Sequence, residues 1–171
     1  MATYTLIAST TVGSGGASSI DFTSIPATYT DLVLKVSART NRTAIANDLL
    51  VVINGTSTAI HSNRNLAGDG ASATSGSSSG DTSGYANTAD GSSATASTFS
   101  NIELYFPNYA GSNNKSFASD GVYENNATTA GMKFIANLYA STSAITSLSV
   151  NGNGFNFVQY TTAYLYGIKN S

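Results

Sequence analysis

The sequence predicts an all-β fold, a two-sheet antiparallel sandwich that is most simply a jelly roll of about eight to ten strands. Three observations carry this prediction. Short runs alternate apolar and polar residues with period two, as in Asp31–Arg39, where Leu32, Leu34, Val36 and Ala38 oppose Val33, Lys35, Ser37 and Arg39. Turn signals such as Asn54-Gly55 and Asn151-Gly152-Asn153-Gly154 separate these runs. No stretch carries the 3.6-residue period of an amphipathic helix; the region Ala127–Met132 has room for a helical turn but lacks that period.

Taken in order, Thr3–Thr11 is β-prone and reads as the first strand, followed by a flexible turn at Gly13–Gly16. Ile20 and Phe22 then share one face of a short strand, with Asp21 on the other. Pro26 closes that strand, because it donates no hydrogen bond and holds Ile25 out of the helical region. Asp31–Arg39 is the best-patterned strand, with one apolar face and one charged face, as expected where a sheet is buried on one side only. Leu49–Ile53 is a short apolar strand. Asn54-Gly55 tolerates positive φ at both positions and predicts a hairpin, with Thr56–Leu66 as the returning strand.

Ala67–Thr95 is Gly-, Ser-, Ala- and Thr-rich and has neither period. It is expected to be one long loop spanning residues 67–95, an insertion within a single domain covering 1–171. Strands resume at Ala96–Phe106 and Lys115–Glu124, the latter with Gly121 expected at a bulge. Gly131–Tyr139 alternates Met132, Phe134, Ala136 and Leu138 against Lys133, Ile135, Asn137 and Tyr139. Ala144–Val150 and Phe155–Ile168 complete the set.

Composition narrows the function. Of 171 residues, 41% are hydrophobic, enough for a core, whereas only 9% are charged, against about 25% in ordinary globular domains. A polar but weakly charged surface suits packing against other subunits, since few charges must be desolvated on contact. The net charge is −2 and the seven Lys and Arg are scattered, which argues against a nucleic-acid partner. No apolar run reaches the ~20 residues of a membrane helix, so no membrane partner is expected. The N-terminus shows no signal-peptide pattern, and there is no Cys. Synthesis in a reducing cytoplasm is expected, and Cys-based metal sites and thiol nucleophiles are excluded.

Catalytic motifs are poorly supplied. Gly76-Ser77-Ser78-Ser79-Gly80 matches the G-x-S-x-G spelling but lies in low-complexity sequence, without the strand–turn–helix setting that motif needs. His61 is the only His and reads as an ordinary strand side chain. Glu103 and Glu124 are the best available carboxylate pair for glycoside hydrolysis, yet both read as solvent-facing strand residues. Asp69, Asp81 and Asp90 lack the spacing of a calcium loop. Gly13–Gly16 lacks the Lys and helix of a phosphate cradle. No enzyme activity, no cofactor and no metal is therefore expected. Asn41, Asn54, Asn114 and Asn126 head Asn-x-Ser/Thr triplets, read as composition. Tyr105, Tyr109, Tyr123 and Tyr139 are placed on solvent faces or loops, where Tyr favours interfaces and sugar contacts.

The segment Ala17–Thr40, with its I-x-F-x-x-I-P-x-x-Y-x-D-L core, the Asn-Gly turn after it, the Gly/Ser-rich middle and the ending Ala163–Ile168 (AYLYGI) resemble short virion structural proteins of tailed bacteriophages, especially phages of cyanobacteria and other aquatic bacteria. The resemblance implies a β-sandwich subunit on the virion, of the head-decoration or fibre type, and brings no catalytic residues. It points first to a capsid decoration or cement protein that binds the major capsid protein or other virion proteins and stabilises the head. The alternative is a tail or head fibre module that contacts host surface glycans. Phage surface proteins of this size are commonly trimers, so a homotrimer is expected.

Overall fold

A computed structural model describes residues 2–126 and 128–169. It contains twelve strands: β1 (Thr3–Thr11), β2 (Ser19–Phe22), β3 (Asp31–Ala38), β4 (Ala46–Ile53), β5 (His61–Gly68), β6 (Ala73–Asp81), β7 (Gly84–Asp90), β8 (Ser100–Phe106), β9 (Lys115–Val122), β10 (Met132–Tyr139), β11 (Leu148–Asn151) and β12 (Thr162–Lys169). There is no helix among the described residues. The segment 127–132, which has room for a helical turn but lacks its period, includes Ala127, which lies outside them. The strands form an eight-stranded sheet in the order β1-β12-β3-β8-β9-β10-β5-β6 and a four-stranded sheet in the order β2-β11-β4-β7. All strand pairings are antiparallel. The result is the two-sheet sandwich the periodicity predicts, and it is consistent with a jelly roll.

Period-two alternation does the folding work in the centre of the large sheet. Leu32, Leu34, Val36 and Ala38 of β3, Ile102, Leu104 and Phe106 of β8, and Ala163 and Leu165 of β12 are buried. They meet Ile20 and Phe22 of β2, Leu148 and Val150 of β11, and Leu49, Val51 and Ile53 of β4 in one core. Phe106 stacks on Phe117 at 4.7 Å between ring centroids. Tyr109 is fully buried and its hydroxyl donates to the Pro26 carbonyl, fixing the Pro26 corner against the β8–β9 connection.

Four local expectations are corrected. Residues 67–95 are not one loop, since β6 and β7 both lie within them. β6 shows no hydrophobic period because neither of its faces is covered, and its ladder with β5 alone defines it. β7 shows none because it lies so close beneath the large sheet that only small residues fit. A Cβ added at Gly84 would sit 2.7 Å from Phe117 Cζ. The strand count accordingly rises to twelve.

Asn54 and Gly55 do adopt positive φ (53° and 63°), but they do not close a hairpin. β4 pairs with β11 and β7, whereas β5 crosses to the other sheet and pairs with β10 and β6. Gly121 forms no bulge, and β9 keeps regular register with β10 through it. Its small size is needed because an added Cβ would lie 2.7 Å from Asn87 Cγ. Arg39 does not extend the charged face of β3. It is buried, and its guanidinium donates to the carbonyls of Thr95 (2.7 Å), Thr98 (3.0 Å), Ala94 (3.0 Å) and Ser92 (3.3 Å), so one side chain holds the 91–99 connection.

Candidate interaction surface

The large sheet has an outer face that none of the described residues crosses. On β10 the alternation places Ile135, Asn137 and Tyr139 inside and Met132, Phe134, Ala136 and Leu138 outside. Cross-strand register assembles the outer residues into rows. One row runs Ser75, Leu66, Phe134, Asp120, Glu103, Lys35, Tyr164, Ser9 from one edge of the sheet to the other. At its β5–β10 end, Leu66 (58% exposed), Phe134 (55%) and Met132 (63%) stand beside Val122 and surround a shallow hollow of about 380 Å³. These side chains form one contiguous apolar patch.

A charged belt crosses the middle of the same face. Lys35 Nζ lies 2.7 Å from a Glu103 carboxylate oxygen, and the hydrogen bond to Glu103 raises the Lys35 pKa. Asp120 is paired with Glu103 across β8 and β9. Burial and the neighbouring Glu103 push its carboxyl upward, with Lys35 acting in opposition. Beyond the belt, Tyr4, Leu6, Tyr105 and Tyr164 are exposed, and Tyr4 meets Tyr166 edge-to-face at 6.5 Å. Tyr105 donates to Asp31 at 2.9 Å.

The outward apolar face has a counterpart inside. Where β7 lies beneath β9, β10 and β5, the interior holds polar side chains among apolar ones such as Phe117 and Ile135. Asn137 bonds both main-chain groups of Tyr85, accepting from its N–H at 3.0 Å and donating to its carbonyl at 3.2 Å. Asn87 donates to Ser119 Oγ at 3.0 Å, and Ser119 donates in turn to the Ala86 carbonyl. Asn125 donates to Asp90 at 2.7 Å. Asn137 and Ser119 satisfy main-chain groups that β7, an edge strand of the small sheet, leaves unpaired on its second side. In this half of the sandwich Asn63 and Asn137 are buried beside Ile135 and Tyr139, while Leu66, Met132 and Phe134 face outward.

At the rim, Tyr85 donates to Asp48 at 2.6 Å, Thr88 donates to the same oxygen at 2.9 Å, and Lys133 lies 3.4 Å from it. Burial pushes the Asp48 carboxyl up, but the hydrogen bond from Tyr85 and the Lys133 charge outweigh it and leave the pKa lowered. Burial, then the Asp48 hydrogen bond, raises the Tyr85 hydroxyl well above its ordinary value. Asp48, Asn63, Asp81, Tyr85 and Asn153 line a polar hollow of about 430 Å³ beside this cluster.

The residues singled out for chemistry are dispersed. Ser77 of the G-x-S-x-G string is exposed on β6 opposite Arg64, on the outer side, whereas His61 is buried on the inner side and stacks on Tyr139 at 5.0 Å. Glu103 lies mid-strand in its Lys35 pair, while Glu124 follows the end of β9, four residues past Asp120 and so roughly 13 Å farther along the chain direction. Asp69 accepts main-chain N–H bonds from Ala71 (2.9 Å) and Ser72 (2.6 Å), Asp81 accepts from Ser78 (2.8 Å), and Asp90 is buried with Asn125. No group of three metal-ligating side chains occurs among the described residues.

Of the four tyrosines placed on the surface by sequence, only Tyr105 is there; Tyr109, Tyr123 and Tyr139 are buried. Sequence reasoning missed the Leu66–Met132–Phe134 patch. The signal was present in the Met132, Phe134, Ala136, Leu138 alternation, but period two does not say which set faces the core. No protein-family model matches the chain, and a search of curated proteins yields no match.

Proposed function

We propose that this chain is a non-enzymatic structural subunit of a phage virion, acting as a capsid decoration or cement protein that packs the outer face of its large sheet against head subunits. The observation that carries the reading is the apolar patch on the outer face of the large sheet, where Phe134, Met132 and neighbouring Leu66 are exposed. Burying such a face against neighbouring subunits contributes on the order of 25 cal/mol per Å² of apolar surface. The low charge supports the same reading, since there is little to desolvate at contact. The resemblance of Ala17–Thr40 and Ala163–Ile168 to phage virion proteins supplies the setting.

The test is the protein's position and copy number in averaged images of the intact particle, with binding of a Phe134→Ser, Leu66→Ser variant measured alongside. Hundreds of copies on the head, lost in the variant, support the proposal; absence from the particle overturns it. A second reading, a fibre module that contacts host glycans, is favoured by the hollow of Asp48, Asn63, Asp81, Tyr85 and Asn153, whose carboxylates and amides match sugar hydroxyls. A dozen or so copies on the tail, with glycan binding lost in Asp81→Ala, selects it.

A further inference from the structure

The sandwich has four edge strands, and three of them are protected against pairing with another chain. β1 carries an irregularity between Leu6 and Ala8, in the middle of its length. β2 is only four residues long and carries Asp21. β7 is buried almost throughout against the large sheet. Bulges, brevity and burial are the usual devices that keep edges from associating. Between Ala73 and Ser79, β6 has none of them. From Ala73 to Ser79 it runs in regular register with β5, with no Pro and no charged residue, and its single irregularity comes only at Gly80, beyond that run.

β6 is also a strand with nothing to hold it but its ladder. Residues Ala73 to Gly80 are all exposed. Ordering them costs conformational entropy that no apolar burial offsets. Satisfying the free row of main-chain groups on its outer side supplies the missing stabilisation.

We propose that β6 is a self-pairing edge, whose occupant is β6 of a second copy of this chain, antiparallel about a two-fold axis at Gly76. The residue order fits this occupant. Centring on Gly76 sets Ser75 opposite Ser77, Thr74 opposite Ser78 and Ala73 opposite Ser79, so small uncharged side chains meet throughout. Asp81 falls outside the pairing, and the two copies of it lie at opposite ends of the ladder. A two-fold axis normal to the sheet keeps both outer faces on the same side. The Leu66–Phe134 patches of the two copies then flank one continuous surface, turned toward the same partner. The edge itself does not use those patches, so the pairing stands or falls separately from the function proposed above.

The chain has no Cys, so engineered thiols report directly. Ser75→Cys and Ser77→Cys single variants, one carrying an affinity tag, are oxidised alone and mixed. Directly opposed residues have Cβ atoms about 4.5–5.5 Å apart, whereas diagonal ones are about 7–8 Å apart. The mixed disulfide is expected to dominate both homodisulfides. A Ser75→Lys, Ser77→Lys variant sets like charges opposite each other, and it is expected to lose the dimer in sedimentation while keeping the parent's circular dichroism. A Phe134→Ser, Leu66→Ser variant is expected to keep it. Overturning results are a parent protein that stays monomeric at high concentration without the mixed disulfide, cross-links formed equally in all combinations, a trimer whose β6 amides exchange freely, or protection of β6 only by foreign peptides.

Discussion

Asn137 holds the main chain of Tyr85 with both ends of its amide, its Oδ1 accepting the Tyr85 N–H at 3.0 Å and its Nδ2 donating to the Tyr85 carbonyl at 3.2 Å. The pair reproduces with a side chain the exchange that two strands make in a ladder. It ties the free edge of the small sheet to β10 of the large one. Asn137→Leu removes both partners and leaves the Tyr85 main-chain groups with none of these bonds. A loss of about 1–3 kcal/mol for each unsatisfied buried group is expected, read from the midpoint of urea unfolding. An unchanged midpoint would show that the clasp does not join the sheets.

Leu34 and Leu66 are the same residue on opposite sides of one sheet. Leu34 is fully buried in the core, and Leu66 is 58% exposed. Leu34→Asp places an unpaired charge in an apolar interior and is expected to prevent folding. Leu66→Asp is expected to fold with stability within about 0.5 kcal/mol of the parent, as is usual for surface positions. Circular dichroism and amide-proton dispersion distinguish the two outcomes, and a folded Leu34→Asp protein would contradict the placement of β3.

Phe134→Ser tests assembly rather than folding. Phe134 is exposed, so the isolated protein should unfold at nearly the parent's midpoint. Its retention on the particle is expected to fall by tenfold or more, since about 1.4 kcal/mol of lost contact suffices for that factor. Parent-like retention in a co-sedimentation assay would remove the patch from the interface.

Gly121→Ala tests the closeness of β7 to the large sheet. The new methyl would lie 2.7 Å from Asn87 Cγ, inside contact distance and against a side chain already bonded to Ser119. Overpacking of this kind costs about 1–3 kcal/mol. Gly13→Ala, where an added Cβ meets nothing within 4 Å, is the matched control and should be nearly neutral. Equal effects at the two sites in thermal unfolding would argue against the spacing described.

His61 sets a pH dependence whose sign follows from its position. Burial lowers its pKa below the ordinary value of 6.5, with Asp81 opposing, and neither ring nitrogen has a hydrogen-bond partner among the described residues. The unfolded chain therefore takes up a proton at His61 before the folded one does. Stability is full above the unfolded pKa and falls as pH drops below 6.5 toward the lower folded value. His61→Phe preserves the stack on Tyr139 and should flatten this part of the curve, measured by urea unfolding between pH 7.5 and about 5. A parent protein whose stability is flat across that window would contradict the assignment.

The chain's local grammar was legible without a structure. Alternation located β3, β8 and β10, because side chains on an extended chain must point to opposite faces. Asn54-Gly55 and Asn153-Gly154 do adopt positive φ, because few other residues tolerate that region. β6 and β7 were illegible for opposite reasons: β6 buries nothing, and β7 is buried so tightly that small residues replace large apolar ones. Neither condition leaves an alternating hydrophobic trace.

By itself the sequence determined the class of fold, the residues of the central core and the places where the chain reverses, all properties of local sterics and period. Tertiary structure alone decided which strand each turn delivers to, so that β5 leaves β4 for the other sheet. It also decided which side of β10 faces inward. Period two is unchanged when the faces are exchanged, so only packing chooses between them. Here Ile135 and Tyr139 go into the interior together with Asn137, whose amide meets the Tyr85 main chain, and Phe134 and Met132 are left on the surface.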